Sequence, residues 1–61
     1  MTNIDIAFLI ANECEQFLED ENARKAYELA CEYDCTLDIK TLEEAVRIYN
    51  EATGAGLKVN K

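Results

Sequence analysis

Along the first third of the chain, apolar residues recur at spacings of three and four: Ala7, Ile10, Ala11, Cys14, Phe17 and Leu18. That is the period of one helix face, and it predicts a first helix over residues 3–19, opened by Thr2 with Asp5 three positions later. Continued unbroken, the stripe would fall next on Glu21, Arg24 or Lys25, and Glu28, all charged, so the helix is expected to end or bend. Asp20 or Asn22 then caps a second helix over 21–34. Its apolar positions, Ala23, Ala26, Tyr27, Ala30 and Cys31, with Leu29 and Tyr33 beside them, define a new face. Glu19, Asp20 and Glu21 fall near the positive end of that second helix, where each acid stabilises by roughly 0.3–1 kcal/mol. The same acids closing the first helix would be unfavourable, which disfavours the alternative of one continuous helix.

After Asp34 the helical pattern fails, and Cys35, Thr36, Leu37, Asp38 and Ile39 alternate as a short extended connection would, with Leu37 and Ile39 anchoring it to the core. Thr41 and Glu44 match a capping box, and Leu42, Ala45, Val46, Tyr49 and Ala52, with Ile48 at the border, predict a third helix over 41–53 that Gly54 stops. The tail, 54–61, holds a Leu57, Val59 alternation and is expected to be partly ordered. No internal repeat is present. The expectation is an all-α fold, a small three-helix bundle in which residues 1–61 form a single domain.

With 61 residues, this bundle buries only about 60% of the surface of its unfolded chain, so its core is small. The balance of 49% apolar and 31% charged residues is nevertheless that of a folding chain. There is no His, Ser, Pro or Trp, which removes serine nucleophiles, imidazole bases and His-ligated metals. Cys14, Cys31 and Cys35 are three thiols where zinc wants four ligands, and an odd number cannot close a self-contained disulfide framework. Reduced, buried cysteines are expected, and carboxylates beside each of them disfavour reactive thiolates. Asp34, Thr36, Asp38 and Glu43 echo a calcium loop, but Ile39 and Ala45 stand where it needs glycine and glutamate. No metal, no cofactor and no enzymatic activity are expected. Ile4 to Ala11, the longest apolar-rich run, is far too short to span a bilayer and has no basic segment before it, so the reading is a cytoplasmic protein in a reducing compartment, without membrane contact.

Charge is where the sequence becomes specific. The net charge is −7, and residues 13–38 alone hold nine acids against Arg24 and Lys25, whereas residues 39–61 hold three acids against four bases. Glu13, Glu15, Glu19, Asp20, Glu21, Glu28, Glu32, Asp34 and Asp38 are therefore the candidate acidic interface. They could present carboxylates to the basic groove of a nucleic-acid-binding protein, as a DNA mimic does, or dock another basic protein, or simply solvate two helices. Direct nucleic-acid binding is not expected from a chain of this sign. A helix-turn-helix reading fails because Arg47 is the sole base between Thr41 and Gly54.

A second candidate surface is apolar. Phe8 and Leu9 point away from the stripe through Ala7, Ile10 and Cys14, and with Ile4 and Ile6 they make the first turns apolar nearly all round. Such a segment lies inside the bundle or pairs with a second copy or a target, so a homodimer is expected. In size and charge the chain resembles the small accessory proteins that phages and mobile elements encode to inhibit host factors. That resemblance implies a non-enzymatic protein–protein interaction module, with a structural subunit acting through homo-oligomerisation as the alternative.

Overall fold

Thr2 opens the first helix, α1 (Asn3–Cys14), by reciprocal capping: its hydroxyl accepts from the Asp5 amide at 3.1 Å, and the Asp5 carboxylate accepts from the Thr2 amide at 3.2 Å. These and the following details come from a computed structural model, which describes residues 1–61. The α-helix stops at Cys14, five residues short of the expected 19, and tightens into a 3-10 turn at Glu15–Phe17 before the chain reverses. A 3-10 turn advances about 120° per residue instead of about 100°, so it swings Phe17 and Leu18 off the core stripe. Both are exposed, Phe17 by 60%, which corrects their expected place in the core. The break also disposes of a single continuous helix.

Asp20 caps α2 (Glu21–Thr36), its carboxylate accepting from the Asn22 amide at 3.3 Å. The helix runs two residues past the expected end, absorbing Cys35 and Thr36, so no extended connection follows. Leu37 takes the left-handed conformation (φ 57°) and donates its amide to the Tyr33 carbonyl at 2.7 Å. Asp38 then caps α3 (Ile39–Thr53) by accepting from the Lys40 amide at 3.0 Å. The Thr41 capping box does not form: the helix starts earlier, and the Thr41 hydroxyl donates to the Glu32 carboxylate at 3.3 Å. Two capping signals stood three residues apart, and starting at Asp38 brings Ile39 against the core. Gly54 ends α3 as expected, in the left-handed region at φ 73°.

Leu37, expected as an anchor, is instead 62% exposed in a backbone conformation that costs an L-residue roughly 1–2 kcal/mol. Leu37→Gly relieves that strain, less the extra chain entropy of glycine, and should raise the unfolding free energy by about 0.5–1 kcal/mol in urea titrations. A loss of stability would mean that the Leu37 side chain contributes packing the structure does not display.

Three helices and no strand enclose a core of eleven buried residues. α1 contributes Ile6, Ala7, Ile10 and Cys14, α2 contributes Ala26, Ala30 and Tyr33, and α3 contributes Leu42, Ala45, Val46 and Ile48. The alanines let the backbones approach closely. α2 packs extensively against both other helices, while α1 and α3 meet only lightly.

The tail returns along α3, and Leu57 and Val59 pack against the core. Two asparagines hold it. Asn50 donates to the Leu57 carbonyl and accepts from the Leu57 amide, both at 2.9 Å, and Asn3 does the same for Asn60, both at 2.7 Å. Each side-chain amide thus pairs with the backbone of one tail residue as a neighbouring strand would. Asn50→Ala should cost about 1–3 kcal/mol, the net worth of two partly buried hydrogen bonds, and abolish hydrogen-exchange protection of the Leu57 amide. Protection that survives would place the hold on the tail elsewhere.

Candidate interaction surfaces

All nine candidate acids are exposed. Glu13 lies in the last turn of α1, Glu15 begins the 3-10 turn, Glu19 and Asp20 lie in the reversal, Glu21, Glu28, Glu32 and Asp34 ride on α2, and Asp38 caps α3. Glu21, Glu28 and Glu32 are spaced by seven and four, which aligns them on one outward stripe of α2. Asp34, two residues beyond Glu32, falls about 200° round the helix and does not join them. Asp20 and Asp38 are occupied in capping, and Glu32 accepts from Thr41.

The ion pairs lie elsewhere. Arg47 pairs with Glu44 and with Glu51 along α3, and Lys61 reaches Glu43 at 2.9 Å. The Arg47 guanidinium, by hydrogen bonding, holds the Glu44 carboxyl below its ordinary range. Not one of the nine acids of residues 13–38 has a cation within ion-pair distance, although Arg24 and Lys25 share α2 with four of them. The bases of the third helix and tail are thus partly spent locally, and the carboxylates of the rest are left uncompensated.

The apolar candidates divide. Ile6 is 2% exposed and belongs to the core, so it is not free to meet a second molecule, and Ile4 packs against the core half-buried. Phe8, 51% exposed, and half-buried Leu9 remain at the surface. Of the cysteines, only Cys14 is buried; Cys31 and Cys35 are exposed, contrary to expectation, and all three are free thiols. Ala26, Ala30 and Tyr33 set the inward face of α2, and Cys31 lies one residue, about 100°, away from Ala30 on the turn towards solvent. No helix is long and apolar enough to cross a membrane.

Sequence reading missed a groove of about 220 Å³ where the end of α1, the start of α2 and the end of α3 meet. Buried Cys14, Ala26 and Ile48 form its floor, Tyr49 and exposed Phe17 flank it, and Glu13 and Asp20 stand at its rim. No basic side chain lines it. Phe17, turned outward, is one of the side chains that line the groove, and the signal for that turn was the loss of the helical stripe beyond Leu18. No protein-family model, curated protein or solved structure matches this chain.

The groove has a negative field. Burial first, then Glu13 and Asp20, push the Cys14 thiol above its ordinary pKa of 9.0, and burial followed by Glu13 raises the Tyr49 phenol. A folded-state pKa above the unfolded one means that the folded chain holds its proton more tightly. The corresponding stability is therefore fully present below the ordinary thiol pKa and is lost as pH rises through the raised value. Urea midpoints should hold to about pH 8 and decline above pH 9, and Cys14→Val should flatten the first part of that decline. An identical alkaline profile in the variant would remove Cys14 as its source.

Proposed function

We propose that this chain is a non-enzymatic interaction module of the cytoplasm that binds a basic protein through the carboxylates of residues 13–38. One observation carries the reading: nine exposed acids without an ion-pair partner, in a chain whose ion pairs are confined to Glu43, Glu44 and Glu51. Uncompensated carboxylates make the local potential negative and, by repelling one another, destabilise the chain that carries them, and a basic partner relieves that repulsion. In its sharpest form the module occupies the nucleic-acid-binding surface of a host protein, as the inhibitors encoded by phages and mobile elements do. The carboxylates then stand in for phosphates, and binding weakens steeply as salt rises.

The test is affinity capture from the native cell at low and at raised salt, followed by competition with duplex DNA and with RNA. The expected result is a nucleic-acid-binding protein that salt releases and nucleic acid displaces. A partner retained at high salt and indifferent to nucleic acid overturns the mimicry.

Phe8 favours a second reading, a structural subunit that acts by homo-oligomerisation, because an aromatic side chain half open to water beside Leu9 gains from a second copy. Sedimentation of the wild type and of Phe8→Glu separates the two: a dimer that the substitution dissociates supports this second reading, and a monomer in both cases eliminates it.

A further inference from the structure

We propose that the groove between α1, α2 and α3 accepts one long cationic side chain, lysine or arginine, from the basic partner, with its stem against the apolar floor and its charged head between Glu13 and Asp20. This rests on the acidic-module reading and names the point where that module grips. The volume is the first argument. At about 220 Å³ the groove is smaller than the roughly 300–1,000 Å³ of sites for drug-sized ligands, and suits a single side chain.

Its chemistry is graded in the same sense as such a side chain. Cys14, Ala26 and Ile48 give an apolar floor, and the carboxylates stand only at the rim. Lysine and arginine carry apolar stems that seek burial while their heads stay in water. Glu13 has no hydrogen-bonded or ion-paired partner of its own, and Asp20 uses one carboxylate oxygen on the Asn22 amide, leaving the other free. Phe17 and Tyr49 add aromatic surface, and a cation within roughly 6 Å of a ring face is attracted to it. Burial is the first cause of the raised Cys14 and Tyr49 pKa values, and Glu13 adds to both, so the Glu13 carboxylate acts across the groove on the groups that line it. Finally, the groove is continuous with the acid-rich segment: Glu13 and Asp20 belong to the nine, and Glu15, Glu19 and Glu21 are their chain neighbours.

The experiment is a titration of the ¹⁵N-labelled full chain with end-capped five-residue peptides carrying one central lysine, arginine or norleucine, the last reproducing an apolar stem without the charge. Saturable shifts of the Phe17, Ala23 and Ala52 amides are expected with lysine and arginine, and binding at least tenfold weaker with norleucine. Glu13→Gln and Phe17→Ala, both at exposed positions, should each weaken the lysine peptide several-fold. Glu28→Lys combined with Glu32→Lys, outside the groove, should leave the pattern of groove shifts in place. Equal binding of norleucine, or shifts spread along the outer stripe of α2 and absent from the groove, overturns the proposal. Salt-sensitive binding of poly-lysine at that stripe with a silent groove would sink the side-chain site alone and spare the acidic module, whereas loss of poly-lysine binding as well would sink both.

Discussion

Leu42→Ala should cost about 2–5 kcal/mol and shift the urea midpoint far below that of the wild type. At about 0.05–0.15 kcal/mol per residue, 61 residues have roughly 3–9 kcal/mol of stability in total, so this one truncation removes from about a quarter to all of it. The reason lies in the composition of the core. Four of its eleven buried residues are alanines, and Leu42 and Ile10 are the largest side chains with essentially no exposure. Alanine allows close helix packing but buries little area, so the few large side chains carry a disproportionate share of the hydrophobic term. Leu42 also sits one turn into α3, beside the two-residue corner from α2, where a cavity cannot be closed without moving both helices. Urea unfolding followed by far-UV circular dichroism is the measurement, with Leu42→Met, which conserves volume, expected to cost under about 1.5 kcal/mol. If the alanine variant unfolds at nearly the wild-type midpoint, the core is not the source of the fold's stability.

The helices were legible because their apolar faces are periodic, and the errors cluster where two local signals competed. Both Asp38 and Thr41 are capping residues followed by helix-forming sequence, and periodicity alone does not choose between them. The choice fell on the one that lets Ile39 pack and leaves Leu37 to turn the corner. At the end of α1, Phe17 and Leu18 continue the stripe in sequence, yet a change of three residues from α to 3-10 geometry turns them outward. Both failures affect the surface more than the core: they expose Leu37 and place Phe17 among the side chains that line the groove. The tail was illegible for a different reason. An asparagine that pairs with backbone groups seven or fifty-seven residues away leaves no periodic trace, so Asn50 and Asn3 read as ordinary polar positions. Of the candidate surface residues, the acids were readable because charge is nearly always exposed, whereas the apolar set mixed core Ile6 with exposed Phe8, which one helical wheel could not divide without knowing where α2 and the tail lie.

Reversing Glu28 and Glu32 to lysine together should weaken binding of a basic partner by more than tenfold while moving the melting temperature by less than about 5 °C. The separation between the two effects follows from what these side chains do not touch. Glu28 makes no hydrogen bond or ion pair within the chain, and Glu32 only accepts from the exposed Thr41 hydroxyl at 3.3 Å. Neither lines the groove or the core. The substitutions take the net charge from −7 to −3, which reduces self-repulsion, and a cation in place of Glu32 near the end of α2 suits the helix dipole. Lysines placed beside Arg24 and Lys25 oppose that gain, so the stability terms nearly cancel. The binding terms do not cancel: each reversal replaces attraction by repulsion, and both positions lie on the one stripe that also holds Glu21. The effect should shrink as salt rises and the Debye length falls below the spacing of the charges. Affinity that is unchanged by the double reversal, in a protein that still melts normally, would mean that the outer stripe of α2 is solvated surface and nothing more.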